Sequence, residues 1–167
     1  MTRDRELLRH YLGAVAYRAQ KALRGVPPHY PGFDPGHRVR TPVEILRHMT
    51  SLLGYARTFF VGGSYPMKPE PLPTFEAEVA RFHEMLEALD AVLADETLAP
   101  ELSTEQFLQG PFADVMTHVG QLALLRRLAD APVPPENFIH ADVRPGRLGT
   151  DQPPPARPDQ HWPERPA

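Results

Sequence analysis

The chain has 167 residues, of which 41% are hydrophobic and 23% charged, with a formal net charge of −3. These are the proportions of one soluble globular domain large enough to bury a core, and the charge leaves no electrostatic footprint for nucleic acid or an anionic membrane surface. With no cysteine anywhere, a disulfide framework, a thiolate metal site and a cysteine nucleophile are all excluded.

The opening residues, MTRDRELLRHYL, are charged and amphipathic, unlike a signal peptide, and no apolar run approaches the length of a membrane span. A soluble, cytoplasmic protein is expected. Proline is the outlier: there are 21, ten of them after residue 131. They cluster between helical stretches and in the tail, so they punctuate the chain and leave the helices intact.

The first predicted helix covers about residues 4–24, with Leu7, Leu8, Tyr11, Leu12, Val15, Ala22 and Leu23 on its apolar side. Gly25 ends it, before the turn-rich loop VPPHYPGFDPGHRVR. The second begins at TPVEIL, where Thr41 suits the N-cap, Pro42 the first helical position and Glu44 the third, the pattern of a capping box. It runs through Ile45, Leu46, Met49, Leu52, Leu53, Ala56, Phe59 and Phe60 until VGGSYP stops it. The third, about 74–94, carries a stripe of Phe75, Val79, Phe82, Leu86, Leu89 and Leu93 behind a Thr74 cap. A short turn of helix is expected at Ser103, in STEQFLQG. The fourth long helix runs from Pro111 to about Ala129.

No stretch alternates apolar and polar residues well enough to make a strand. Four amphipathic helices with one long connection after the first predict an all-α fold, a four-helix bundle over residues 1–130. Residues 131–167 form a proline-rich C-terminal arm that Phe138, Ile139, Val143, Leu148 and Trp162 would anchor, its last dozen residues fraying.

The fourth helix raises a question of its own. Asp114, His118, Gln121 and Leu125 fall in one stripe beside the apolar arc of Phe112, Val115, Met116, Val119 and Ala123. The second helix repeats the arrangement, with His48 at the edge of its apolar face and Glu44 one turn earlier. Such edges meet between neighbouring helices, and imidazole and carboxylate groups on facing helices are how bundles build metal sites. Three N and O ligands from His48, Asp114 and His118 would leave coordination positions open for water or substrate.

Plainer roles compete with that reading. Capping alone accounts for Glu44, and the helix dipole favours Asp114 in a first turn. A single histidine at an apolar edge, such as His48, is commonly a satisfied boundary residue, and Gln121 alone would be a boundary hydrogen-bonder. His83 and His10 read as solvated boundary residues. His29 and His37 lie in the long loop, near enough to line a mouth, and His140 and Asp142 lie in the arm. Ser64 is a turn residue without a nucleophile elbow. Arg126 and Arg127 read as a solvated helix end that favours the C-terminal dipole.

TPVEILRHMTSLL in the second helix and FADVMTHVGQLALLRRLA in the fourth resemble the DinB/YfiT-like superfamily of metalloenzymes. The mark of that family is one histidine on the second helix and a histidine pair, spaced by four, ahead of Gly-Gln on the fourth. His48 matches the first, His118 in HVGQ matches the last, and Asp114 stands where the middle histidine usually sits. The resemblance covers residues 1 to about 130, and ENFIHADVRPGRLGTDQ looks like an extension found in one branch. It implies a divalent metal, zinc first and nickel, iron or manganese as alternatives, on His48, Asp114 and His118. Gln121 would orient a ligand or the substrate. The chemistry implied is hydrolysis or S-transfer on a small-molecule substrate, water or a low-molecular-weight thiol being activated by the metal. The competing expectation is a non-catalytic, stress-related binding bundle with a degenerate site, and a homodimer through a helix face fits either.

Overall fold

The computed structural model describes residues 1–159 and 161. Helix α1 spans Arg3–Leu23, α2 Pro42–Val61, α3 Phe75–Ala94, α4 Thr104–Phe107 and α5 Ala113–Leu128. There is no strand among the described residues, only an isolated antiparallel bridge between Glu136 and Pro158 in the arm. The all-α expectation is met, and the four long helices fall where the apolar stripes put them.

Polar side chains set the helix starts. The Thr41 backbone N–H and hydroxyl both donate to Glu44 Oε2, at 2.8 and 2.9 Å. This satisfies a donor that the first turn otherwise leaves orphaned. Thr74 Oγ1 accepts from the Ala77 N–H, and Ser103 and Gln106 form a reciprocal box. The fourth long helix departs from expectation. Pro111 lies in a wide, π-type turn, Leu108–Phe112, and regular helix begins at Ala113. Pro111 has no N–H to give, and Gly110 takes the irregular ψ of −111° that joins the short α4 to α5.

Helix α1 packs on α3 and α5, and α2 packs on the same two, which closes a ring around one core. Phe82, Phe107, Phe112, Leu12, Leu46, Leu53, Leu86 and Leu89 fill that core. The loop over residues 24–41 contributes to it as well. Tyr30 is fully buried, stands edge-on to Phe75, and donates its hydroxyl proton to the Leu122 carbonyl on α5 at 2.8 Å. Val43 N–H then donates to Pro31 O. The loop is therefore pinned at Tyr30 and Pro31 to α5 and to the first turn of α2, and Val39 and Arg40 lie in the stretch between that anchor and α2.

Two expectations for polar residues are overturned. His83 is buried, not solvated: its ring nitrogens contact the Leu148 carbonyl and Gln20 Oε1, and burial holds its pKa below the ordinary value. Arg126 is buried too, its guanidinium donating to the carbonyls of Ala22, Arg24 and Ala131. It serves the last turn of α1, whose carbonyls have no partner within the helix. Periodicity could not show this, because two of the three partners, the Ala22 and Arg24 carbonyls, are backbone atoms of a distant segment.

The arm lies on the helices. Leu148 is buried, Phe138 stands edge-on to Tyr17 with the Arg18 guanidinium over its ring, and Glu136 pairs with Lys21 at 3.0 Å. Burial, then Glu136, pushes the Tyr17 phenol up to about 12. Ile139, expected as an anchor, is instead 88% exposed, and Trp162 lies outside the described residues. Gly13 on α1 makes room for the arm: a Cβ there would stand 2.7 Å from the Arg144 carbonyl oxygen. Overpacking of this kind costs about 1–3 kcal/mol. Gly13→Ala is therefore expected to speed amide exchange in residues 138–148 by roughly five- to a hundredfold. Unchanged exchange there would show that the arm is not seated on α1.

Candidate metal centre

His48 and His118 come from α2 and α5, neighbours in the helix ring, and their rings meet edge to face with centroids 4.9 Å apart. Asp114 stands one turn before His118, with Oδ1 3.2 Å from His118 Nε2. One ligand atom from each of His48, Asp114 and His118 lies within 4.8 Å of the others. That spacing suits a shared ion, because ligand atoms about 2.0–2.2 Å from one metal lie at most some 4.4 Å apart. A small adjustment of side chains then brings all three into coordination distance.

The environments of the three differ. His118 is buried, His48 is half-buried, and the Asp114 side chain is 47% exposed. The donor set is thus closed on the core side and open on the Asp114 side. Burial holds the His48 pKa below its ordinary value; the charges of Arg40 and His118 push the same way, and Asp114 opposes them. A neutral imidazole is the form that ligates. The His48 ring also makes no hydrogen bond among the described residues, which leaves its nitrogens available.

His118 bears on the fit most directly. Its Nδ1 lies 2.7 Å from Gln121 Oε1 and its Nε2 faces Asp114 Oδ1, so both ring nitrogens point at oxygen acceptors. A neutral ring has one proton and can serve only one of them. With Nδ1–H donated to Gln121, the Nε2 lone pair and the carboxylate oxygen face each other, an arrangement that either a shared metal ion or a proton on Nε2 satisfies. An imidazole whose far N–H is held by an oxygen is also the usual arrangement behind a metal-ligating histidine. The residues present fit a divalent metal.

Beside this group is a cleft of about 400 Å³ lined by Val39, Arg40, Ile45, His118, Gln121, Leu124 and Leu125. The two residues before it, His37 and Arg38, take left-handed backbone conformations with φ of 56° and 60°. Such conformations cost on the order of 1–2 kcal/mol each outside glycine. They turn the chain into the wall formed by Val39 and Arg40.

The other sequence candidates fall elsewhere. Glu44 caps α2, as the plainer reading had it, and its carboxyl is held below the usual range by the bonds from Thr41. His29 contacts the Ala129 carbonyl at 3.1 Å and ties the loop to the end of α5, while His37 and His10 are exposed. Asp142 is engaged by Arg144 and Arg147 within the arm, and neither it nor His140 joins the cluster. Arg40 was missed by sequence reasoning. It is one residue before a helix cap in a loop, where nothing in periodicity marks it, and only the folded loop brings it to the cleft.

No protein-family model, curated protein or solved structure matches the chain. Among the described residues no helix is long and apolar enough to cross a membrane.

Proposed function

We propose that this protein is a metal-dependent enzyme of the DinB-like kind, with a divalent ion, zinc foremost, on His48, Asp114 and His118. The observation that carries the reading is the convergence of two imidazoles and a carboxylate from two helices at the edge of a cleft. The ion, when bound, supplies a Lewis acid able to lower the pKa of a water or a low-molecular-weight thiol. Gln121 holds the His118 ring in place, and His48 is kept neutral by burial and by Arg40. Ile45, Leu124 and Leu125 give the cleft apolar walls that exclude water from one side of a bound substrate.

One observation favours a second reading. Asp114 already contacts His118 directly, so the pair can stand as an ion pair spaced by four on one helix, within a binding bundle whose metal site is degenerate. Metal content separates the two. Protein purified without a nickel column is expected to hold about one metal per chain, and His118→Ala is expected to hold none. A metal-free wild type that takes up no zinc on dialysis, with unchanged stability in the variant, would sink the enzyme reading.

A further inference from the structure

The cleft beside the metal cluster has a chemical character that the metal alone does not determine. Four of its seven lining residues are apolar: Val39, Ile45, Leu124 and Leu125. Val39 and Leu124 are half exposed, at 50% and 55%, so the apolar wall continues to the mouth. The polar groups are His118, the Gln121 amide and the Arg40 guanidinium. Arg40 makes no hydrogen bond or ion pair among the described residues, unlike Arg5, Arg9, Arg47, Arg81 and Arg126, which all have partners. Glu44, whose carboxyl feels the Arg40 charge, accepts its hydrogen bonds from Thr41. Arg40 therefore offers a free fork of donors beside an apolar wall, close enough to His48 to disfavour a proton on that ring.

We infer that the cleft binds a small carboxylate with an apolar body, its charged end on Arg40 and its hydrocarbon part along Val39, Ile45, Leu124 and Leu125. Guanidinium matches carboxylate with two parallel N–H donors, whereas an ammonium ligand would meet Arg40 as a like charge. A neutral apolar molecule would leave the cation unpaired on binding. The volume of about 400 Å³ fits a ligand of small-molecule size. This inference names the substrate class of the metal enzyme proposed above and rests on that reading for its catalytic meaning. Arg40, however, is a binding residue whether or not a metal is present.

The test uses hexanoate as probe, titrated by calorimetry or NMR into the full chain, with hexan-1-ol as the uncharged control. Wild type, Arg40→Gln and Arg40→Lys are compared, each dialysed against zinc and each metal-free. Hexanoate is expected to bind wild type about tenfold more tightly than Arg40→Gln in both forms, the size of one charge-assisted hydrogen-bonded contact. Arg40→Lys should fall between, because it keeps the charge and loses the fork. Arg40 is exposed, and the variants are expected to keep wild-type melting temperatures. Equal affinity in wild type and Arg40→Gln, or hexan-1-ol binding as well as hexanoate, overturns the inference. A chain that takes up no zinc but still binds hexanoate through Arg40 overturns the metal reading alone and leaves the carboxylate site standing.

Discussion

Replacing Glu78 with alanine is expected to destabilise the fold by about 3–5 kcal/mol, the cost of removing one partner from a buried charged network. The Glu78 side chain is completely buried on α3. Its Oε1 accepts from Arg47 Nε of α2 and from the Leu72 N–H of the connection between those helices, both at 2.9 Å, and Oε2 accepts from Arg81. One carboxylate thus ties two helices and the segment that joins them. Alanine would remove the acceptor of the Leu72 N–H and of Arg47, the residue before His48, and would leave Arg81 only the Glu70 carbonyl. Both arginine side chains keep almost a fifth of their surface in water, so they can turn outward, which favours the lower end of the range. For a domain of this size the loss corresponds to roughly 6–20 °C in melting temperature. Glu78→Gln, which keeps an acceptor and the volume, should lose less. Urea unfolding that puts Glu78→Ala within about 1 kcal/mol of wild type would show that the network contributes nothing net, as many ion pairs do.

Glu78 also shows why part of the molecule was hidden in the sequence. Adjacent to Val79 and one turn after Phe75, it has the look of an ordinary first-turn carboxylate answering the helix dipole. Arg81 is three residues on along the same helix, but Arg47 lies on α2 and the Leu72 N–H in the loop before α3, and apolar spacing points to neither. The same holds for His83, which meets the Leu148 carbonyl of the arm and the Gln20 side chain of α1, and for Arg126, which meets carbonyl oxygens at the end of α1. Apolar spacing is a local signal, so it placed the four long helices, and the Thr41, Thr74 and Ser103 caps were read from residue type, while the start of α5 fell two residues later than expected. Polar burial is settled by whichever distant backbone groups lack a partner, and no window of sequence contains both sides of that bargain.

The candidate metal cluster was more legible because it is built from local regularities. Asp114, His118 and Gln121 share a stripe through the period of one helix, and His48 sits at the edge of an apolar face that must meet a neighbour. What spacing left open was which two helix edges meet, and the contact of α2 with α5 answers it. Arg40 stayed hidden because the loop that delivers it is positioned by Tyr30, a single aromatic residue whose anchoring role has no periodic signature.

Metal affinity is expected to fall steeply as pH drops below about 6.5, the ordinary histidine value. Each ligating imidazole that carries a proton must release it before binding. Affinity then falls about tenfold per pH unit for one protonated ring and about a hundredfold where both are charged. The depressed pKa of His48 sets the sign and the window. Its neutral form is favoured in the folded chain, so this ring competes with protons only at pH below its ordinary 6.5. The same asymmetry acts on the metal-free fold: stability from neutral His48 and His83 is complete above the unfolded value and is lost as pH falls through their lowered folded values. Between pH 7.5 and 6.5 the zinc constant should therefore change little, and from 6.5 to 5 it should drop by one to three powers of ten, on the scale of one to two protons displaced per ion. Competition titration against a chelator of known proton affinity measures this directly, with Gln121→Ala as a companion. Loss of the oxygen that holds Nδ1 is expected to cost on the order of 10- to 100-fold at pH 7 without altering the pH slope. A zinc constant that stays flat down to pH 5 would mean that the ion is held by carboxylates elsewhere and that His48 and His118 do not ligate it.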